Sequence, residues 1–216
     1  MKLNNFHKIK IAYAEKYAFL RCGVRQFFHD SDRIELIIEA ATGGELLGKL
    51  EKAPVLPDVC ILDVVLPEIN GFDAMSRIRK KWPETKLLVF TGLDNELCIA
   101  RIIKKGANGY LHKDCNYEDL KTAINAVYDS GTYFSNLVSN RYMNSVINGA
   151  INVPEFSDLE MEVLRLCCTD YTYEEIAQKI GISFKSVDGT KERLLKKLNL
   201  RNRFGLMNYA FKTGLV

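Results

Sequence analysis

Asp63 ends an apolar run, Val59-Cys60-Ile61-Leu62, and is followed by Val64-Val65-Leu66-Pro67-Glu68-Ile69-Asn70-Gly71. An acid at the end of a buried strand, with a Pro/Asn/Gly turn just beyond, sits where α/β sheets hold reactive groups. Phosphoryl or metal chemistry at such a position needs further acids close by. The end of the first strand, where they are expected, reads Ala14-Glu15-Lys16, so one acid is followed by a cation. The pattern is that of a phosphorylation pocket that has been altered. Read alone, Asp63 is also compatible with an ordinary strand-end acid. Thr91 and Lys113, at the ends of two further strand patterns, favour a shared site.

Alternating strand and helix patterns must position these groups. Strand-like runs fall at Ile9 to Ala14, Ile34 to Ile38, Asp58 to Leu62, Lys86 to Phe90 and Gly109 to His112. Helical spacing links Phe19-Leu20 with Val24 and Phe27-Phe28, and recurs over Gly44 to Lys52, Phe72 to Lys81, Asn95 to Lys105 and Tyr117 to Tyr128. Five β–α units in alternation predict a parallel sheet with helices on both faces. Its functional edge is the set of strand C-termini: Glu15-Lys16, Asp63, Thr91 and Lys113.

Composition changes after Gly131. Asn136 to Pro154 is rich in Asn and Ser, with one helix expected at about Val138 to Ile147. The remainder is helical throughout. Capping boxes start at Ser157 and Thr172, Gly181-Ile182 makes a tight turn, Ser183 caps a helix to about Leu198, and Arg203 to Lys212 forms the last. Two helices joined by a short Gly turn, the second basic, match a helix-turn-helix.

The net charge of +3 over 216 residues is too small by itself to indicate nucleic acid, but Ser183 to Arg203 holds 7 Lys+Arg against 2 Asp+Glu. No Cys-x-x-Cys pair occurs, so Cys22, Cys60, Cys98, Cys115, Cys167 and Cys168 are expected as buried small hydrophobes in a reducing cytosol. Met1 to Lys10 is polar and unlike a signal peptide, and no run reaches the ~20 apolar residues of a membrane span. The expected location is cytoplasmic.

Taken together, the chain resembles a two-domain response regulator of the LuxR/NarL class over nearly its whole length, with an atypical receiver acidic pocket. Asp63 matches the phosphoacceptor in Leu62-Asp63-x-x-Leu66-Pro67-x-x-Asn70-Gly71. Thr91 before Gly92 matches the hydroxyl residue, and Lys113 matches the lysine of Gly109-Tyr110-Leu111-His112-Lys113-Asp114. Glu162-Val163-Leu164, Glu175-Ile176-Ala177, Ile182-Ser183, Ser186-Val187 and Lys197-Leu198 match the DNA-binding domain. The resemblance implies a five-stranded parallel, doubly wound, flavodoxin-like receiver over 1–131. A linker with one helix over 132–154 and a small all-α, LuxR-type helix-turn-helix domain over 155–216 follow. It also implies double-stranded DNA, a sensor histidine kinase and a second copy of the chain as partners. Transcription regulation is the implied role, not enzymatic catalysis. Tyr110 matches an aromatic switch position, and residues 94–129 form the usual signalling and dimerisation face.

In such receivers two adjacent acids at the first strand end bind Mg²⁺, with the backbone carbonyl two residues past the acceptor, here Val65. Lys113 pairs with the phosphoryl group and Thr91 donates a hydrogen bond to it. Here Glu15 keeps one charge and Lys16 replaces the usual direct metal ligand. The formal pocket charge becomes 0 instead of −2. Two unit charges ~4 Å apart at an effective dielectric near ~20 interact by ~4 kcal/mol. A Mg²⁺ site built from Glu15, Asp63 and Val65 is therefore expected to be weak or absent, with the Lys16 ammonium bridging Glu15 and Asp63 in its place. The expected function is a DNA-binding regulator whose receiver does not depend on Mg²⁺-assisted phosphorylation. The alternatives are conventional phosphorylation at Asp63, with Lys16 turned to solvent, or a pseudo-receiver that answers to a ligand or protein partner. A phosphatase of the haloacid-dehalogenase type is disfavoured, because the general-acid position two residues on is Val65.

In the candidate recognition helix, Val187, Leu194 and Leu198 fall on the packing face. Lys185, Ser186, Asp188, Gly189, Lys191 and Glu192 are the groove-facing candidates, and Arg193 belongs to the same basic stretch. Lys196, Lys197, Arg201 and Arg203 are placed for phosphate. Gly189 costs the helix ~1 kcal/mol relative to Ala, which suggests either close approach to DNA or relief of packing.

Overall fold

The structure is a computed structural model that describes residues 8–135 and 138–216. Most of the polar N-terminal segment, and residues 136–137 of the expected linker, lie outside the described residues. The chain divides into two compact units, Met1–Ala150 and Ile151–Val216.

The first unit runs β1 (Ile9–Ala14), α1 (Ala18–His29), β2 (Ile34–Ala40), α2 (Gly43–Lys52), β3 (Val59–Leu62), α3 (Gly71–Lys81), β4 (Lys86–Thr91), α4 (Glu96–Lys104), β5 (Gly109–His112), α5 (Tyr117–Ser130), β6 (Tyr133–Phe134) and α6 (Asn140–Ile147). The strands form one parallel sheet in the order β2-β1-β3-β4-β5-β6. Five strands were expected and, among the described residues, six are present. The sixth has two residues, too few to show a period, and pairs with β5 through Gly109–Tyr133 and Tyr110–Phe134.

Ile11, Tyr13, Val59 and Ile61 pack with Val24 and Phe28 of α1 and with Leu120, Ile124 and Val127 of α5. Ala12, Ala14, Cys60 and Leu62, which point the other way, are equally buried. Strands covered on both faces read as continuous apolar runs, which is why β3 is simply Val-Cys-Ile-Leu. Phe19 shares the apolar character of α1 but not its packed face, and is 93% exposed. Three cysteines, Cys60, Cys98 and Cys167, are buried as expected; Cys22 is exposed and Cys115 and Cys168 are intermediate.

The strand order reverses between β1 and β3, and Ala14 and Leu62 are register partners at the end of that pair. The residues that follow, Glu15 and Asp63, therefore open side by side into the crevice at the topological switch point. Asn70 holds the loop beyond Asp63 by accepting from Phe72 N–H at 2.9 Å, which starts α3. Helix α6 packs on α4, its Tyr142 hydroxyl donating to the Glu96 carbonyl and its Val146 buried. Part of the 94–129 face is thus covered by the chain itself.

The second unit contains α7 (Asp158–Cys167), α8 (Tyr173–Ile180), α9 (Phe184–Leu198) and α10 (Arg203–Lys212). Both capping boxes form, Ser157 with Glu160 and Thr172 with Glu175. Gly181 turns α8 into α9 with φ of 77°, a left-handed conformation that glycine adopts without strain. The core is Val163, Leu164, Ile176, Val187, Leu194 and Leu206. Thr190 and Leu195 are also buried on α9, so its packing face is broader than Val187, Leu194 and Leu198. Among the described residues no helix is long and apolar enough to cross a membrane.

Candidate functional site

The strand ends converge as expected. Asp63 is 4% exposed and Glu15 is fully buried. Lys113 Nζ lies 2.5 Å from Glu15 Oε2 and 2.6 Å from Asp63 Oδ2. Thr91 Oγ1 donates to Asp63 Oδ1 at 2.6 Å, and Val65 N–H donates to the same oxygen at 3.2 Å. Both oxygens of Asp63 are thus occupied by donors within the protein. Two buried carboxylates share one ammonium, an arrangement stable only when the remaining lone pairs also find donors. Glu15 finds a further one: its Oε1 accepts from Tyr17 N–H at 2.8 Å.

The bridge between Glu15 and Asp63 is made by Lys113, not by Lys16. The Lys16 ammonium instead lies 5.2 Å from the centre of the Tyr17 ring, and among the described residues it makes no ion pair with either acid. The reason is reach and competition. Lys113 enters from the end of β5 and already satisfies both carboxylates, while Lys16 follows β1 into the turn before α1. The backbone there is held by Arg21, whose Nη1 donates to the carbonyls of Glu15 at 2.7 Å and Lys16 at 3.0 Å. Arg21 Nε also faces Glu39 Oε1 at 3.3 Å.

Arg21 and Tyr17 were not singled out from the sequence. Tyr17 has one visible signal, its place directly after the acid-lysine pair. Its ring lies within reach of both ammoniums, 5.2 Å from Lys16 Nζ and 5.9 Å from Lys113 Nζ. Arg21 has only its position one turn into α1, which does not reveal carbonyl partners.

Tyr110 is fully buried and its hydroxyl donates to the Leu93 carbonyl at 3.0 Å. Burial pushes its pKa up, with smaller contributions from Cys98 and Asp94.

In the second unit, the expected DNA-facing residues separate into two groups. Lys185, Ser186, Glu192, Arg193, Lys196 and Arg201 are exposed, and Asp188 and Gly189 are half-buried beside them. At 100° per residue, Lys185, Gly189, Glu192 and Lys196 form the outward ridge of α9. A Cβ on Gly189 would meet only Arg193 Nη1, at 3.8 Å, so packing within the domain does not require the glycine.

The other cations are committed inside the domain. Lys197 Nζ lies 2.7 Å from Glu160 Oε2 and donates to the Glu155 carbonyl at 2.9 Å. Arg203 donates to the carbonyls of Cys167 at 2.9 Å and Thr169 at 2.7 Å, closing the C-terminal end of α7. Lys191 Nζ lies 2.6 Å from Asp188 Oδ1 and 3.1 Å from Glu192 Oε1, over the ring of Tyr173. Lys197 and Arg203 are thus held by oxygens within the domain, at Glu160, Glu155, Cys167 and Thr169.

Comparison with known proteins agrees with this architecture. Residues 11–125 match the response regulator receiver domain, and residues 154–210 match the luxR family of bacterial regulatory proteins. The chain is 32% identical to the oxygen regulatory protein NreC of Staphylococcus carnosus, covering 96% of this chain and 99% of the relative. It is 31% identical to NreC of Staphylococcus haemolyticus over the same shares. Among solved structures it resembles RcsB of Salmonella enterica serovar Typhimurium bound to promoter rprA, with a TM-score of 0.66 at 22% identity over 94% of this chain and 98% of that one. A further RcsB structure from Salmonella typhimurium gives a TM-score of 0.67 at 21% identity over 96% and 98%. The chain belongs to the response regulators of the NarL/LuxR type, a receiver domain followed by a LuxR-family regulatory domain.

Proposed function

We propose that this protein is a cytoplasmic transcription regulator that binds double-stranded DNA as a homodimer through the outward ridge of α9. Its receiver, in this reading, does not depend on Mg²⁺-assisted phosphorylation of Asp63. The exposed cations Lys185, Lys196 and Arg201 support phosphate contact, and the open space beside Gly189 supports close approach of the helix to the groove. The relatives point the same way, since RcsB is described bound to a promoter. It acts as a regulator and not as an enzyme.

The single observation that carries the receiver reading is the position of the Lys113 ammonium between Glu15 and Asp63. The donors present do not fit the usual Mg²⁺ site. Its direct carboxylate ligand is replaced by Lys16, and both remaining carboxylates are bound to Lys113. Among the described residues no cluster of three or more His, Cys, Asp or Glu is placed to hold a metal. Input then comes from a protein or small-molecule partner.

A second reading, conventional phosphorylation by a sensor histidine kinase, is favoured by one specific feature. Asp63, Thr91 and Lys113 form a complete acceptor, hydroxyl and counter-charge set. The two readings separate in a footprinting titration. The proposal expects protection of two half-sites, with affinity that falls steeply with salt and is unchanged by a phosphoryl donor plus Mg²⁺. Affinity that rises with the donor supports the second reading.

A further inference from the structure

Lys191 is one of the groove-facing candidates of α9, yet its geometry turns it away from that role. Its side chain is 17% exposed, whereas those of Asp188 and Glu192 are 45% and 64% exposed. The ammonium reaches both carboxylates and rests 5.0 Å from the centre of the Tyr173 ring. Arg203 Cζ also lies near this ring, 5.3 Å from its centre. Lys191 is therefore fixed between α9 and α8, at the edge of the packing face.

The outward ridge, by contrast, carries an acid at its middle. Lys185, Gly189, Glu192 and Lys196 succeed one another along it, with Asp188 alongside. An acid facing DNA is repelled by phosphate and can only accept hydrogen bonds in the major groove. Two base amino groups donate there: cytosine N4, and adenine N6, whose neighbouring N7 acceptor repels a carboxylate, so cytosine is the favoured partner.

We propose that Asp188 and Glu192 are specificity-determining residues that read cytosine, and that Lys191 is their internal counter-ion, not a DNA contact. This rests on the reading of α9 as the helix that enters DNA. The counter-ion lowers the repulsion between the acids and phosphate while leaving a carboxylate oxygen of each acid free to accept. Lys185, Lys196 and Arg201, which flank the acids, supply the phosphate contacts.

The test uses the full chain and a randomised duplex library, followed by titrations at several salt concentrations. Sites selected by the unaltered protein should carry a C·G pair at a constant position in each half. Replacing that pair should weaken binding roughly 5- to 150-fold. D188N/E192Q should lose the cytosine preference, binding the selected site and the site with its C·G pair replaced equally tightly. K191M should weaken binding to all sequences alike, and K191R should restore it. In the D188N/E192Q background, K191M should cause no further loss and no change in salt slope.

Two results overturn the inference alone: salt-dependent DNA binding without a constant C·G pair, or a K191M loss that persists in the neutralised background and lowers the salt slope by about 0.9. The second would make Lys191 a phosphate contact. Absence of DNA binding by the unaltered protein at low salt overturns the DNA-binding reading together with this one. Circular dichroism of each variant reports whether the domain is intact, and K191R separates loss of charge from loss of packing.

Discussion

The Lys113 ammonium of the β5 end lies 2.5 Å from the Glu15 carboxylate of the β1 end, across the crevice that also holds Asp63. The sheet order makes this contact. β1 and β3 are neighbours, and β4 and β5 follow on the same side, so four strand ends open on one crevice. One cation thereby serves two buried acids.

Removing that cation should be costly. Lys113→Met leaves Glu15 and Asp63, fully buried and 4% exposed, facing each other without a counter-charge. Urea unfolding at neutral pH should show a loss of about 3–5 kcal/mol. Adding E15Q and D63N to K113M should recover most of it. A K113M protein as stable as the unaltered one would mean that the cluster is not held by this lysine.

The loop after Asp63 depends on the absence of one side chain. A Cβ on Gly71 would sit 2.2 Å from the Asp63 carbonyl oxygen and 2.5 Å from Val64 Cα, both backbone atoms that cannot swing aside. Gly71→Ala should cost about 1–3 kcal/mol and shift the Asp63 loop, seen as changed amide chemical shifts around residues 63–71. Gly92→Ala, with nothing within 4 Å of its would-be Cβ, is the matched control and should be near neutral.

Much of this pocket was legible in the sequence, because strand ends are marked by where apolar runs stop. Asp63, Thr91 and Lys113 were placed at one edge from that pattern, and they do converge. Which lysine would bridge the acids was not legible. Lys16 adjoins Glu15 in sequence, but the side chain that arrives between the carboxylates comes from β5, 98 positions away. The sixth strand was missed because two residues carry no periodicity. In α9 the helical period placed Val187 and Leu194 correctly inside. It could not show that Lys197 and Arg203 are held by Glu160 and by carbonyls at the end of α7, since those partners belong to another helix.

Gly189 offers a test that moves stability and function in opposite directions. Gly189→Ala meets only Arg193 Nη1 at 3.8 Å, so it should stabilise the C-terminal unit by roughly 1 kcal/mol through helix propensity. It should also weaken DNA binding by adding a methyl group to the outward ridge. Thermal unfolding and a binding titration on the same sample check both signs. A variant that binds more tightly would remove α9's outward face from the interface.

Glu160 should make the C-terminal unit sensitive to acid. Burial pushes its pKa up, but the Lys197 ammonium and the Ser157 N–H outweigh that, and the net shift is downward from the ordinary glutamate value of 4.5. A carboxyl with a depressed folded pKa binds its proton more readily in the unfolded chain. Its stabilisation is therefore present above about pH 4.5 and is lost as pH falls through the lower folded value. Glu160→Gln should cost about 1–3 kcal/mol at pH 7, and the gap to the unaltered protein should narrow below pH 4.5. A gap that stays constant with pH would show that Glu160 acts through shape alone.

Phosphorylation of Asp63 with Mg²⁺ separates the two readings of the receiver. Intact-mass spectrometry after incubation with acetyl phosphate, across a Mg²⁺ titration into the millimolar range, tests it directly. Little or no added phosphoryl mass is expected on Asp63 in the unaltered protein, and increased labelling in Lys16→Asp, where the missing acid is restored. Ready labelling of the unaltered protein at millimolar Mg²⁺, absent from Asp63→Asn, would contradict the Mg²⁺-independent reading.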